Sequence, residues 1–255
     1  MSTTPLTASL IALAARRQLP LHQHMDHATI AWISNHRPDD LPPAPQPALR
    51  SQSKEMLSLD GLPTRWWADP RLYTSLHGVR HAMRTAALVA VLAETNGLDD
   101  ADASTAILAA AVHDCQRRHD QDDRGHGARA AIWLAANADT AWNHFGLAAT
   151  PRRIVQAATA VRLHDTPYEA FTADDQVDHT RAERITDMVK AADALDRYRL
   201  PKLKWWPDSR YVREPAFDQL RGLAFHLVLV SERAYLAGAG GPEAVRYALA
   251  EKGLV

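Results

Sequence analysis

The chain is expected to be all-α, and three observations point that way. No stretch shows the apolar/polar alternation of a half-buried strand, and no internal repeat is evident. Long segments rich in Ala, Leu, Val and Ile recur instead, as in Ser75–Glu94 and Pro215–Leu236. Their ends carry helix punctuation: Thr150-Pro151 joins a capping residue to a Pro at the first helical position, and Asn96-Gly97 supplies a stop.

Residues 5–35 read as one or two amphipathic helices broken near Pro20. His22, His24 and His27 crowd there, but Asp26 alone gives them no buried carboxylate support, so a polar helix face or loop is the expectation. Arg37–Ala48 holds prolines at 38, 42, 43, 45 and 47; repeated Pro fixes φ and removes donors, which predicts an extended linker. The expected organisation is an N-terminal helical arm (1–36), a Pro-rich linker (37–48) and a helical core with C-terminal helices (49–255).

In the core, Lys54–Tyr73 is mixed, and Trp66-Trp67 is expected to cap the apolar interior or wall a pocket. Ser75–Glu94 is apolar nearly all round beyond Arg84, so it should run through the middle of the fold. Its four- and three-residue spacing puts His77, His81 and Arg84 on one face. Asp99, Asp100 or Asp102 can cap the next helix, whose buried stretch Thr105–Val112 ends in His113-Asp114. A charged loop from Arg117 to Gly125 leads to a helix opened by His126-Gly127. The helix begun at Thr150-Pro151 ends at His164-Asp165. Another is expected from about Thr180 through Asp193 to Asp196, then an irregular stretch 200–211 with Trp205-Trp206. Helices at Pro215–Leu236 and Pro242–Glu251 close the chain.

Composition narrows the function classes. With 46% apolar and 23% charged residues the chain has the balance of a globular protein. Basic and acidic residues number 29 and 30, and the pI is near 6.9, so neither nucleic acid nor an anionic membrane surface is an expected partner. Cys115 is the single cysteine, which rules out a disulfide framework and a thiolate zinc site and fits a cytoplasmic location. The apolar run Ser9–Ala15 is followed, not preceded, by Arg16-Arg17, the wrong order for a secretory signal.

The pair His113-Asp114 sits where a buried helix ends, and a buried charge there needs a partner or a metal. The dipeptide alone is weak, since His119-Asp120 and His164-Asp165 repeat it. Set in order, the candidate metal ligands are His81, His113, Asp114, His126, His164 and Asp193. Imidazole and carboxylate without thiolate suit Mn²⁺, Fe²⁺, Co²⁺, Ni²⁺ or Zn²⁺, with Mg²⁺ a further candidate. Such an ion turns bound water into hydroxide near neutral pH and polarises a phosphoryl oxygen.

Over about Ser75–Arg199 this order resembles the HD-domain superfamily of metal-dependent phosphohydrolases: a His on one helix, a His-Asp pair ending the next, and an Asp on a later one. Here those are His81, His113-Asp114 and Asp193, the last within Ala-Ala-Asp-Ala-Leu-Asp-Arg. The resemblance implies an HD-domain helical bundle that hydrolyses a nucleotide or small phosphomonoester through metal-bound hydroxide. It implies one ion held by His81, His113, Asp114 and Asp193. His126 and His164 would add a second ion bridged by Asp114, or contact phosphate beside a single one. Asp114, His126, Lys190 and Arg117 are the expected catalytic group, with Lys190 and Arg117 as phosphate ligands. Four His and two Asp are also the donor set of a mixed-valent di-iron oxygenase branch. Members that keep the fold only to bind a ligand usually lose one of the four core ligands, and all four are present. The arm could pair two copies into a homodimer or cover the pocket.

Overall fold

A computed structural model describes residues 8–43 and 48–255. Residues 1–7 of the expected arm, and Pro45 and Pro47 of the expected linker, lie outside them. Among the described residues there are α-helices and short 3-10 turns, and no strand. No helix there is long and apolar enough to cross a membrane.

In chain order the helices are α1 (Leu10–Ala15), α2 (His27–Asn35), α3 (Ser51–Leu57), α4 (Val79–Thr95), α5 (Asp100–Val112), α6 (His126–Ala136), α7 (Ala138–His144), α8 (Pro151–Leu163), α9 (Ala173–Leu195), α10 (Phe217–Leu236) and α11 (Gly241–Ala250). Four of them, α4, α5, α8 and α9, close on one another as a central bundle. Helix α6 leans on α8, and the α10–α11 pair covers α4. The centre is built from Ala-rich stretches: Ala86–Ala93 and Ala103–Val112 are buried throughout. Small side chains let these backbones approach closely, so the histidines and carboxylates at their ends converge.

Helix α4 starts four residues later than its sequence pattern suggests. Residues Pro70–Thr74 form a 3-10 helix, and the chain then turns at Gly78, where a Cβ would lie 2.2 Å from the Tyr73 oxygen. Only glycine fits, and His77 therefore precedes the helix instead of opening it. Helix α9 starts earlier than expected. Thr172 and Asp175 form a reciprocal capping box that holds a charged first segment, and Ala182 (φ −131°, ψ 22°) marks a kink before the buried half. The apolar pattern begins only after the kink, which is why the first segment reads as loop. Asp99 caps α5 through the Asp102 amide at 2.8 Å, and Thr150 caps α8.

The arm is folded onto the body. Residues 19–24, extended between α1 and α2, cross the 119–121 loop: the Asp120 amide donates to the Leu21 carbonyl (2.7 Å), and the Leu76 amide to that of Gln23 (2.8 Å). His22 meets Asp69 (3.1 Å) and His24 lies near the Thr74 carbonyl, so these histidines disperse along the crossing. Asp40, in the stretch expected as linker, pairs with Arg221 on α10. Trp66 packs on Trp133 and His144, Trp67 on Tyr73, and Trp206 on Trp32, Tyr198 and Phe225. These contacts make the tryptophans part of the core.

Candidate metal centre

Four histidines reach the bundle centre with Nδ1 tied back to an acceptor, three of them to a carbonyl three residues away. His113 follows α5 and its Nδ1 lies 2.6 Å from the Ala110 carbonyl, three residues back. His164 follows α8 and repeats this on Val161 at 2.7 Å. His126, opening α6, sets Nδ1 2.8 Å from the Asp123 carbonyl. His81, on α4, sets Nδ1 2.7 Å from the Asp196 carboxylate. A carbonyl or carboxylate can only accept, so each Nδ1 carries the proton and each Nε2 faces inward as a lone pair. This is the way metal-binding imidazoles are oriented.

The inward nitrogens meet in pairs. His81 and His113 bring Nε2 atoms to 3.0 Å, and so do His126 and His164. Two lone pairs at that distance repel unless a cation lies beside both. The spacing suits neighbouring ligands on one ion with bonds of about 2.1 Å. Asp114 stands between the pairs. Its Oδ1 is 2.9 Å from His126 Nε2 and 3.5 Å from His164, and its Oδ2 is 3.5 Å from His81 and 3.8 Å from His113. Buried Oδ1 has no hydrogen-bond donor despite the close His126 nitrogen, as expected when both atoms are acceptors. The result is two buried triads that could hold metal ions, His81–His113–Asp114 and Asp114–His126–His164, sharing one carboxylate. Asp193 adds an oxygen to the first, 3.3 Å from His81 Nε2 and 3.9 Å from His113. The donor set fits divalent ions.

Without an ion, protonation of this cluster is uneven. Burial pushes His81 down, yet Asp114, Asp193 and Asp196 outweigh it and raise its pKa to about 9. Burial dominates at His113 and lowers it to about 3. One proton then serves the first pair, standing where a metal would. Burial opposes ionisation of Asp114, but Arg117, His113 and His126 hold its carboxyl well below the usual range.

The surrounding charges are arranged by role. Arg84 is fully buried, donating to Asp196 at 2.6 and 3.0 Å and to Glu232 at 2.8 Å; Arg80 meets the same Glu232 at 2.9 Å. This network fastens α4 to α10 and fixes the carboxylate behind His81. Arg117 lies over the second triad, Nη1 3.1 Å from His126 Nε2 and 3.5 Å from Asp114, anchored by Nη2 to the Gln121 carbonyl at 2.8 Å. Lys190 is beside the site, but Nζ donates to the carbonyls of Leu163, His164 and Thr166 at 2.9, 3.1 and 2.6 Å. All three ammonium protons are used in holding the end of α8, and burial pushes the amine down to about 8. His77 turns Nδ1 to Asp120 (2.8 Å) and packs its ring edge on His81. Cys115 is buried, and burial raises its thiol.

The six expected ligands thus converge, with Arg117 against them and Lys190 one shell out. Three contributors were not expected from the sequence. Arg199 places Nη2 3.4 Å from His81 Nε2 and 4.0 Å from Asp193. Asp165 stands 3.2 Å from His126 Nδ1. Asp120 accepts from the Gln23 amide, Ser75 and His77, joining arm, turn and site. Asp196, which the sequence suggests as a partner for Arg84 or Arg197, does hold Arg84 and orients His81 as well. Asp165 and Asp120 belong to His-Asp dipeptides that look like chance repeats, and only the helix-end position of the first could have marked it. Asp193 and Asp165, their side chains each 25% exposed, are the open edge of the cluster.

Comparison of the chain with family models, with curated proteins and with solved structures finds no match to any of them.

Proposed function

We propose that this chain is a metal-dependent phosphohydrolase of the HD-domain superfamily, acting on a nucleotide or another small phosphomonoester. The observation that carries the reading is the pairing of four inward Nε2 atoms around one shared carboxylate, Asp114, with a guanidinium on each flank. His81, His113, Asp114 and Asp193 would hold one divalent ion; His126 and His164 with Asp114 would hold a second. Bound there, such ions supply an activated water at neutral pH and polarise a phosphoryl oxygen.

The chain's own residues set the conditions for that chemistry. Asp196 and three backbone carbonyls hold the Nδ1 protons, so only the one proton shared by His81 and His113 has to leave before an ion binds. Apolar packing from α4 and α5 keeps bulk water from the inner side of the cluster. Substrate would approach past Asp193 and Asp165, where Arg117 can reach its phosphoryl oxygens. His126 Nε2 touches both Asp114 and Arg117, so its replacement would disturb metal and anion together.

Four His and two Asp also match a mixed-valent di-iron oxygenase of the same superfamily, and one experiment separates the two. Elemental analysis of protein purified without added metal is paired with phosphate release from a nucleotide panel with Mn²⁺, for wild type and Asp114→Ala. Metal-dependent release that disappears with Asp114→Ala is the expected result. Two irons per chain, O₂ consumption and no phosphate release would instead establish the oxygenase. No metal and no turnover would leave a binding protein and overturn the proposal.

A further inference from the structure

The geometry points to Arg199, acting with Arg117, as a clamp that selects the doubly charged phosphoryl group of a monoester over a phosphodiester; the inference rests on the phosphohydrolase reading. Arg199 lies in the 3-10 turn that follows α9 and is 1% exposed. Its Nε is fixed on the Leu76 carbonyl at 2.8 Å, which sets the plane of the fork. Nη1 is buried and has no hydrogen-bond partner, lying 3.5 Å from Asp196, whose oxygens already serve His81 and Arg84. Nη2 faces the lone pair of His81 Nε2, the same lone pair a metal would take. With an ion bound, both terminal nitrogens of one planar guanidinium are therefore left without acceptors. That is the arrangement that binds two phosphate oxygens at once, and it would be costly to bury unfilled. The open edge is close, since Nη2 is 4.0 Å from Asp193.

Arg117 answers from the other flank. Its Nη1 approaches His126 Nε2 as Arg199 approaches His81, so the two guanidiniums lie over the two triads with Asp114 between them.

Charge matching sets the selectivity. Asp196 is matched by Arg84, and Glu232 by Arg80. At the face of the cluster the carboxylates of Asp114 and Asp193 are then offset by Arg117 and Arg199. Each divalent ion therefore adds two positive charges that these pairs leave uncompensated. A monoester dianion offsets two of them. A diester monoanion supplies one, and its second ester group would meet the Arg199 fork with no charge to offer it.

The test uses the full-length protein loaded with Mn²⁺, inorganic phosphate as the probe, and Arg199→Gln and Arg199→Lys. Phosphate affinity is read by calorimetry, metal content by elemental analysis, and selectivity as the ratio of kcat/KM for p-nitrophenyl phosphate to that for bis(p-nitrophenyl) phosphate. Arg199→Gln should keep its manganese, weaken phosphate binding by roughly tenfold or more, and lower the selectivity ratio by a similar factor. Arg199→Lys, a point charge without the fork, should fall between Gln and wild type. Full manganese with unchanged phosphate affinity would overturn the clamp. Loss of manganese in both variants would overturn it as well, because Arg199 would then be holding Asp193 in place. Wild type that takes up metal and binds phosphate but hydrolyses no ester would defeat the phosphohydrolase reading and leave the clamp standing; wild type that takes up no metal would defeat both.

Discussion

Asp196→Asn separates an outer carboxylate that organises the centre from one that merely fills space. Asp196 is fully buried, and its oxygens accept from His81 Nδ1 at 2.7 Å and from Arg84 Nε and Nη2 at 2.6 and 3.0 Å. Burial alone would raise its carboxyl, but Arg84 and His81 hold it below the usual carboxylate range. The amide has the same shape, so no cavity opens. One acceptor becomes an NH₂ group that must face Arg84 or the His81 N–H, donor against donor. Breaking a buried pair by removing one partner costs about 3–5 kcal/mol. Arg84 keeps Glu232 and Ser231, which places the expectation at the low end, about 3 kcal/mol. In a chain of this size that lowers Tm by about 6–12 °C. An outer partner of a metal-binding His is also worth about 10–100-fold in metal affinity. Thermal melts by circular dichroism near neutral pH in chelator, with Mn²⁺ titrations by calorimetry, read both effects. The carboxylate's contribution is complete above about pH 4 and fades as pH falls further, so the gap between wild type and variant should narrow in acid. A Tm within about 2 °C of wild type, with unchanged Mn²⁺ affinity, would refute the reasoning. Arg84→Met combined with Asp196→Asn should cost less than the two single changes added, because the pair leaves together.

Three further outcomes follow from the same contacts. Gly127→Ala places a Cβ 2.8 Å from the Val161 carbonyl, so α6 must move off α8 and His126 from His164; we expect a loss of about 1–3 kcal/mol and fewer metal ions per chain, with equal metal content in the variant counting against the second triad. Lys190→Met keeps the apolar stem but strips donors from the Leu163, His164 and Thr166 carbonyls, for an expected loss of about 2–4 kcal/mol in urea melts; full stability with a raised KM would make Lys190 a phosphate ligand after all. His77→Gln probes pH dependence in the metal-free protein. Burial, Arg117 and Arg199 lower His77 to about 3, so between about pH 6.5 and 3 the unfolded chain binds a proton that the folded chain refuses. Wild-type stability should therefore fall with pH across that window, and His77→Gln should flatten the slope by up to about 1.4 kcal/mol per pH unit; identical slopes would show that the imidazole ionises freely in the fold.

Much of this protein can be read from its residues. The absence of strand alternation, the Ala-rich runs and the caps at Asp99 and Thr150 specify helices, because these signals act over one or two turns. The candidate ligands stand out for a related reason: His113, Asp114, His164 and Asp193 interrupt or end apolar stretches, where a polar group needs a purpose. The start of α9 was not visible, since Thr172 and Asp175 stabilise a charged segment with no apolar stripe. Gly78, which delays α4 past His77, acts through a carbonyl approach that no periodicity encodes.

What only the tertiary structure decided is which polar atoms face which. Lys190, three residues before Asp193, has the spacing of a phosphate ligand, yet its protons go to the end of α8, a partner distant in sequence. Arg199 and Asp120 lie in irregular stretches with no pattern to mark them, and they reach the cluster because the helices converge there. Helix and cap signals are local and survive in the linear chain. The pairing of imidazole nitrogens at 3.0 Å, the sharing of Asp114 and the unpartnered Nη1 of Arg199 arise from contacts between elements far apart in sequence, and exist only once the bundle has closed.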